Sequence, residues 1–115
     1  MAEPVLEPQE LSRSCNELLV LAALARGARH GYQLALDVEE RSEGAFQFHH
    51  GTLYPILHRL EERGLVTGAW SEQDGGRRRK SYALTPEGEE RLRTEREAWR
   101  GFFRRFWPMV EEEGT

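Results

Sequence analysis

Residues 52–64 read TLYPILHRLEERG, and how this stretch is read decides the fold of the 115-residue chain. Leu53, Ile56, Leu57 and Leu60 recur at i, i+3, i+4 and i+7, the spacing that gathers apolar side chains on one stripe of an amphipathic helix. With about 100° per residue and Leu53 at zero, the stripe centres near ~340°. Gly51, Pro55, His58 and Glu62 lie opposite it, Thr52 and Arg59 sit beside them, and Tyr54 is on a flank. A face that is small and polar at its amino end suits a helix that enters a groove. Gly64 follows in the C′ position, where glycine commonly closes a helix.

Downstream, LVTGAWS (65–71) and RRKSYAL (78–84) are β-compatible runs around EQDGGR (72–77), and an Asp-Gly between such runs predicts a hairpin. Its tip and returning strand carry four consecutive cations, Arg77, Arg78, Arg79 and Lys80. Thr85-Pro86-Glu87 then starts a helix: Thr as N-cap, Pro at the first helical position and an acid facing the positive dipole end. This helix is predicted to run from Pro86 to about Trp107 and to stop at Pro108, a length near 33 Å at about 1.5 Å per residue.

Upstream, GYQLALDVEERS (31–42) sets Tyr32, Leu34, Ala35 and Val38 against Asp37, Glu39, Glu40 and Arg41, and predicts a second helix. CNELLVLAALAR (15–26) is apolar on most sides and predicts a buried one, stopped by Gly27. Three short helices followed by a basic hairpin predict a mainly α fold with a small β-hairpin: a winged helix-turn-helix with a long carboxy-terminal helix. The expected organisation is an amino-terminal arm or helix extension (1–13), the winged domain (14–84), a dimerisation helix (85–108) and an acidic, flexible tail (109–115).

Composition bounds the function. Hydrophobic residues make up 38% and charged residues 31%, too polar for a membrane protein, and no apolar run approaches the roughly 18 residues of a spanning helix. The acidic Met1–Pro8 segment lacks the layout of a signal peptide, so a cytoplasmic protein is expected. A single cysteine, Cys15, excludes an intramolecular disulfide and a multi-cysteine zinc site. Cys15, His30, His49, His50 and His58 show no ligand spacing, so neither a metal nor another cofactor is expected. Cys15 reads as a small core residue and His30 as a residue that caps or packs at the second helix start. No nucleophile-base pair, paired-carboxylate site or phosphate-binding glycine loop is visible, and no enzyme is expected.

The formal net charge of −4 argues at face value against nucleic acid. Its distribution argues otherwise. Residues 49–84 carry 6 basic and 4 acidic side chains plus His49, His50 and His58, and a phosphate backbone meets one face rather than the whole protein.

The runs LLVLAALARGARHGYQLALDVEER, GTLYPILHRLEERGLV and GGRRRKSYALTPEG are similar to the PadR family of bacterial transcriptional regulators over about residues 15–100. His30-Gly31-Tyr32 matches the family's HGY, Gly51 to Pro55 its GTLYP, and Arg79-Lys80-Ser81-Tyr82 with Leu84-Thr85 its RKYY-x-LT motif. The resemblance implies a homodimer paired through its carboxy-terminal helix that binds two-fold, double-stranded DNA operators, usually as a repressor. Two departures bear on the operator: His49, followed by His50, stands where Ser or Asn is common, and Ser81 replaces the first wing aromatic.

The expected DNA-contacting residues are His49, His50, Thr52, Tyr54, His58 and Arg59 on the third helix, and Arg77, Arg78, Arg79 and Lys80 on the wing. Tyr54 and Tyr82 also read as packing residues between that helix and the wing, the Tyr54 hydroxyl reaching a phosphate. At the carboxyl end, five of the eleven aromatics lie between Trp99 and Trp107. Leu92, Trp99, Phe102, Phe103 and Phe106 are the expected dimer interface. Two readings of this face stand: dimer packing alone, or a groove in which Trp99 and Phe103 also stack a flat aromatic or apolar effector. A competing reading of the whole chain, favoured by its net charge, is a ligand- or protein-binding module on a winged-helix scaffold that does not bind DNA.

Overall fold

A computed structural model describes residues 8–72 and 78–111. The elements are α1 (Pro8–Ala25), α2 (Gly31–Arg41), α3 (His50–Glu62), β1 (Val66–Glu72), β2 (Arg78–Leu84) and α4 (Pro86–Val110). The two strands pair antiparallel from Val66 opposite Leu84 to Glu72 opposite Arg78, which is the hairpin wing. The Asp74-Gly75-Gly76 turn, residues 1–7 of the expected arm and residues 112–115 of the expected tail lie outside the described residues.

The α3 stripe forms the centre of the core: Leu53, Ile56, Leu57 and Leu60 are all 3% exposed or less. Around it pack Val20, Leu21 and Leu24 of α1, Leu34 and Val38 of α2, and Val66 and Tyr82 of the hairpin. Each such side chain contributes roughly 1.5–3 kcal/mol of apolar burial, so three short helices that would each be marginal alone hold one another in place.

The helix ends follow their local signals. Gly27 (φ 113°) and Gly64 (φ 74°) turn the chain out of α1 and α3 through left-handed backbone. Thr85 caps α4, its Oγ1 accepting from the Gly88 N–H at 3.0 Å and donating to the Gly64 carbonyl at 2.6 Å. One hydroxyl thereby ties the start of α4 to the end of α3.

Of the two readings of the amino-terminal segment, the helix extension holds from Pro8, where α1 begins, because Pro is pre-organised for the first helical position and PQELSR contains nothing to break a helix. Two expectations need correction. α4 runs through Pro108 to Val110. A proline this near the end removes a single backbone donor, and the Glu111 N–H still closes the last turn on the Trp107 carbonyl at 3.0 Å. Met109 and Val110 are therefore helix rather than tail. Leu92, expected at the dimer interface, is 5% exposed within the chain's own core. It is the one large apolar residue in the first two turns or so of α4, where that helix crosses the winged domain.

Candidate nucleic-acid interface

The outer face of α3, the start of α2 and the inner face of the wing converge on one surface. His49 is the N-cap of α3, with extended backbone (φ −91°, ψ 159°); its carbonyl accepts from the N–H groups of Thr52 and Leu53 at 2.9 Å each. Its side chain, Thr52 and His58 are exposed. His50 is the first residue of α3, and its side chain lies outside the described residues. His58 Nε2 stands 3.5 Å from the Glu62 carboxylate one turn on.

Tyr54 is 43% exposed, and its ring lies against the start of α2. A Cβ at Gly31 would meet the Tyr54 hydroxyl at 2.5 Å, so the glycine of the HGY motif is what lets that ring seat. The Tyr82 N–H donates to the Arg29 carbonyl at 2.8 Å, and His30 Nδ1 lies 3.4 Å from the Lys80 carbonyl. Gln33 Oε1 accepts from the N–H groups of both Arg29 and His30 at 2.9 and 3.0 Å. The wing is thereby fastened to the amino end of α2.

Two expected DNA-contacting residues are turned elsewhere. Arg59 points toward α1, its Nε 3.7 Å from Glu17, a carboxylate it shares with Arg63. Lys80 donates to Glu61 at 3.0 Å and lies over the rings of Trp70 and Tyr82. The Glu61 carboxylate beside it holds the Lys80 ammonium above its ordinary range, while burial pushes the Tyr82 hydroxyl up. Each cation is thus paired with a carboxylate of the fold, while Lys80 still borders the cleft under the wing. Arg77 lies outside the described residues. Arg78 and Arg79 are exposed on β2.

Sequence reasoning missed Trp70. It is 57% exposed, sits opposite Lys80 in the ladder, and carries the Arg78 guanidinium 5.0 Å above its ring. The signal was present in the period-2 alternation of β1, which puts Val66, Gly68 and Trp70 on one face. Beneath the wing, Trp70, Tyr54, Tyr82, His30, His58 and the Glu61–Lys80 pair border a cleft of about 560 Å³. Its walls are aromatic and its rim is cationic, so it is suited to an anion that carries a ring or a sugar.

The far end of α4 has a different chemistry. Trp99 and Phe103 have ring centroids 5.8 Å apart, and Phe102 stacks on Phe106 at 5.4 Å. Phe102, Phe103, Phe106 and Trp107 are all exposed. A second cleft of about 550 Å³ runs along Leu18, Trp99, Phe103 and Trp107, edged by Arg96, Arg100 and Arg104. Cys15 is half-buried on α1, and burial pushes its thiol up, the opposite of what a reactive thiolate needs.

Residues 20–94 match the profile described as the Transcriptional regulator PadR-like family. The chain is 37% identical over 90 residues to Transcriptional regulator Rv3488 of Mycobacterium tuberculosis, covering 78% of this chain and 80% of that one. It is 36% identical over 80 residues to Transcriptional regulator YqjI of Escherichia coli, covering 70% of this chain but only 37% of that longer protein. Among solved structures, a PadR family transcriptional regulator from Eggerthella lenta superposes with a TM-score of 0.72 at 32% identity, covering 92% of this chain and 87% of that one. A transcriptional regulator from Clostridium thermocellum superposes with a TM-score of 0.79 at 24% identity, over 88% and 98% of the two chains, and shows the shared fold. With a family match over residues 20–94, about two-thirds of its length, the chain belongs to the PadR-like family of transcriptional regulators.

Proposed function

We propose that the chain is a dimeric, operator-binding repressor. The observation that carries this reading is the convergence of α3, the start of α2 and the wing on one cleft bordered by His58, Arg78 and Arg79, with His49 and Thr52 exposed at the amino end of α3. A helix with small polar groups at its amino end reads base edges in the major groove, while wing cations meet the flanking phosphates. With Arg59 and Lys80 held by Glu17 and Glu61, base reading falls to Thr52 and the histidines, and phosphate contact to Arg78, Arg79 and, by its place in the sequence, Arg77.

Dimerisation is supported by the exposed Phe102, Phe103, Phe106 and Trp107 on one helix, an apolar area of the kind that marks association surfaces. The Trp99 cleft favours a second element of the reading, a flat aromatic effector bound beside the dimer seam. Such a ligand releases DNA only if it binds better to a dimer whose wings are wrongly spaced for two half-sites, because only differential affinity shifts the equilibrium.

The test is affinity for duplex DNA from upstream of the protein's own gene, measured against salt. Two to three wing arginines on each of two protomers call for a log–log slope of about −3.5 to −5.5, at about −0.9 per phosphate neutralised. A flat slope, or no binding, rejects the repressor and favours a ligand- or protein-binding module on the same scaffold.

A further inference from the structure

The cleft under the wing is walled entirely by one chain, so it exists whether or not the protein pairs. Tyr54, His58 and Glu61 recur at i, i+4 and i+7 on α3 and form one side of it. The first turn of α2 forms another, from His30 to Gln33, with no acidic residue in it. The wing closes the third side with Trp70 of β1 and Arg78, Lys80 and Tyr82 of β2. Much of this lining is set before any ligand arrives. Gly68 faces Tyr82 in the ladder, and a Cβ there would collide with the Lys80 side chain and come within 3.2 Å of a Glu61 carboxylate oxygen. The missing side chain lets Lys80 lie over the Trp70 and Tyr82 rings, at 5.7 and 5.4 Å, and still reach Glu61 at 3.0 Å. Gly31 makes the same kind of room for the Tyr54 ring.

Lys80 and Tyr82 are thereby fixed, whereas Trp70 and Tyr54 keep 57% and 43% of their surface open. Charge on the border is uneven too. Arg78, Arg79 and Lys80 stand against Glu61 as the only carboxylate among the described lining residues, and Lys80 already pairs with it. Arg78 holds its guanidinium 5.0 Å from the centre of the Trp70 ring, so an aromatic platform and a cation stand side by side. The first turn of α2 adds the positive end of a helix dipole, which favours negative charge. At about 560 Å³ the space falls within the range of small-ligand sites.

We propose that this cleft binds a small aromatic phosphate, of which a nucleoside monophosphate is the simplest form. The ring stacks on Trp70 and Tyr54, and the phosphate is taken by Arg78 and Arg79. Ring stacking and charge-assisted hydrogen bonds to phosphate each add affinity, so the intact molecule binds better than either half. The site is separate from the α4 cleft and lies within a single winged domain. Its binding is independent of the operator reading, but its consequence rests on that reading: the same two arginines are the wing's phosphate contacts, so an occupied cleft withdraws them from the duplex and the two ligands compete.

The probe is adenosine monophosphate, with adenosine and inorganic phosphate as its two halves, each titrated calorimetrically into the full-length protein at fixed ionic strength. The monophosphate is expected to bind with a Kd below about 1 mM, and each half at least about tenfold more weakly. Trp70→Leu should weaken it at least about fivefold and Arg78→Ala at least about tenfold. Both positions are exposed, and circular dichroism establishes that the variants stay folded. Trp70→Tyr should restore most of the loss, and Trp99→Ala, on the α4 cleft, should bind as wild type does. At about ten times its own Kd the monophosphate should raise the apparent Kd for a labelled duplex, selected from a random-sequence pool, by about tenfold or more. No binding in this range, phosphate alone binding equally well, wild-type affinity in both wing variants, or loss of binding in Trp99→Ala overturns the site. Binding that leaves duplex affinity unchanged overturns the competition and leaves the DNA reading intact. Monophosphate binding without any duplex binding supports the site and rejects the DNA reading.

Discussion

Gly88, in the first turn of α4, offers the sharpest test of how the wing is coupled to that helix. It is buried, and a Cβ there would fall inside the van der Waals radius of the Leu65 carbonyl oxygen, 3.0 Å from its carbon and 3.3 Å from Leu84 Cδ2. Carbon and carbonyl oxygen settle at about 3.3–3.6 Å, so Gly88→Ala must move α4 away from the α3–β1 junction by about 1 Å or more. Two of its neighbours are backbone atoms and cannot swing aside. The shift strains the Thr85 N–H to Leu65 carbonyl bond (3.1 Å) and the Thr85 hydroxyl to Gly64 carbonyl bond (2.6 Å).

Overpacking costs about 1–3 kcal/mol, and each weakened hydrogen bond about 0.5–1.5 kcal/mol. The helix-propensity gain of alanine over glycine returns about 1 kcal/mol. The net expectation is a loss of about 1–5 kcal/mol, or roughly 4–20 °C in Tm at about 4 °C per kcal/mol. Thermal and urea unfolding at one fixed protein concentration measure it, because any self-association makes apparent stability depend on concentration. Gly51→Ala is the control: nothing lies within 4 Å of its Cβ position, and its stability should hold or rise slightly. A Gly88→Ala protein as stable as wild type would refute the claim that this contact sets the angle between α4 and the wing.

Two further substitutions probe the two faces. Trp70→Leu removes the ring beneath Arg78 at an exposed site; duplex affinity should fall about two- to fivefold per protomer, and Tm should stay within a few degrees. Trp70→Tyr should restore most of the loss, and unchanged binding in the Leu variant would show that Arg78 needs no ring to hold it. Trp99→Ala should abolish fluorescence quenching by planar dyes if the α4 cleft takes a flat ligand; an unaltered titration would leave that aromatic cluster to packing alone.

The wing's two faces have different tasks. On the inner one, Tyr82 and Lys80 are committed to α3 and the core, and Trp70 continues the same row outward to Arg78. The Glu61 carboxylate that pairs with Lys80 also borders the cleft under the wing. Arg79 alternates to the other face of the strand, yet it is exposed and still borders the cleft under the wing. The cations consecutive in sequence therefore separate into one that braces the wing and at least two that stay available to phosphate.

Local spacing determined much of this protein. The i, i+3, i+4, i+7 stripe in TLYPILHRLEERG buries as read, Gly64 closes α3, Thr85-Pro86 opens α4, and the hairpin strands pair around Asp-Gly. Such features depend on torsion preferences and on which side of a helix or strand a residue falls, and both are set within a few positions. The fate of individual charges was decided by partners far along the chain. Arg59 sits near the polar face of α3, but Glu17, 42 residues earlier, draws it to α1. Lys80 belongs to a basic run, but Glu61, 19 residues earlier, pairs with it once the wing folds onto α3. Leu92 looked like interface until the first turns of α4 were laid across the winged domain. Sequence periodicity says which face a side chain is on; only the packing of elements says what stands opposite it, and a flexible charged side chain follows its partner.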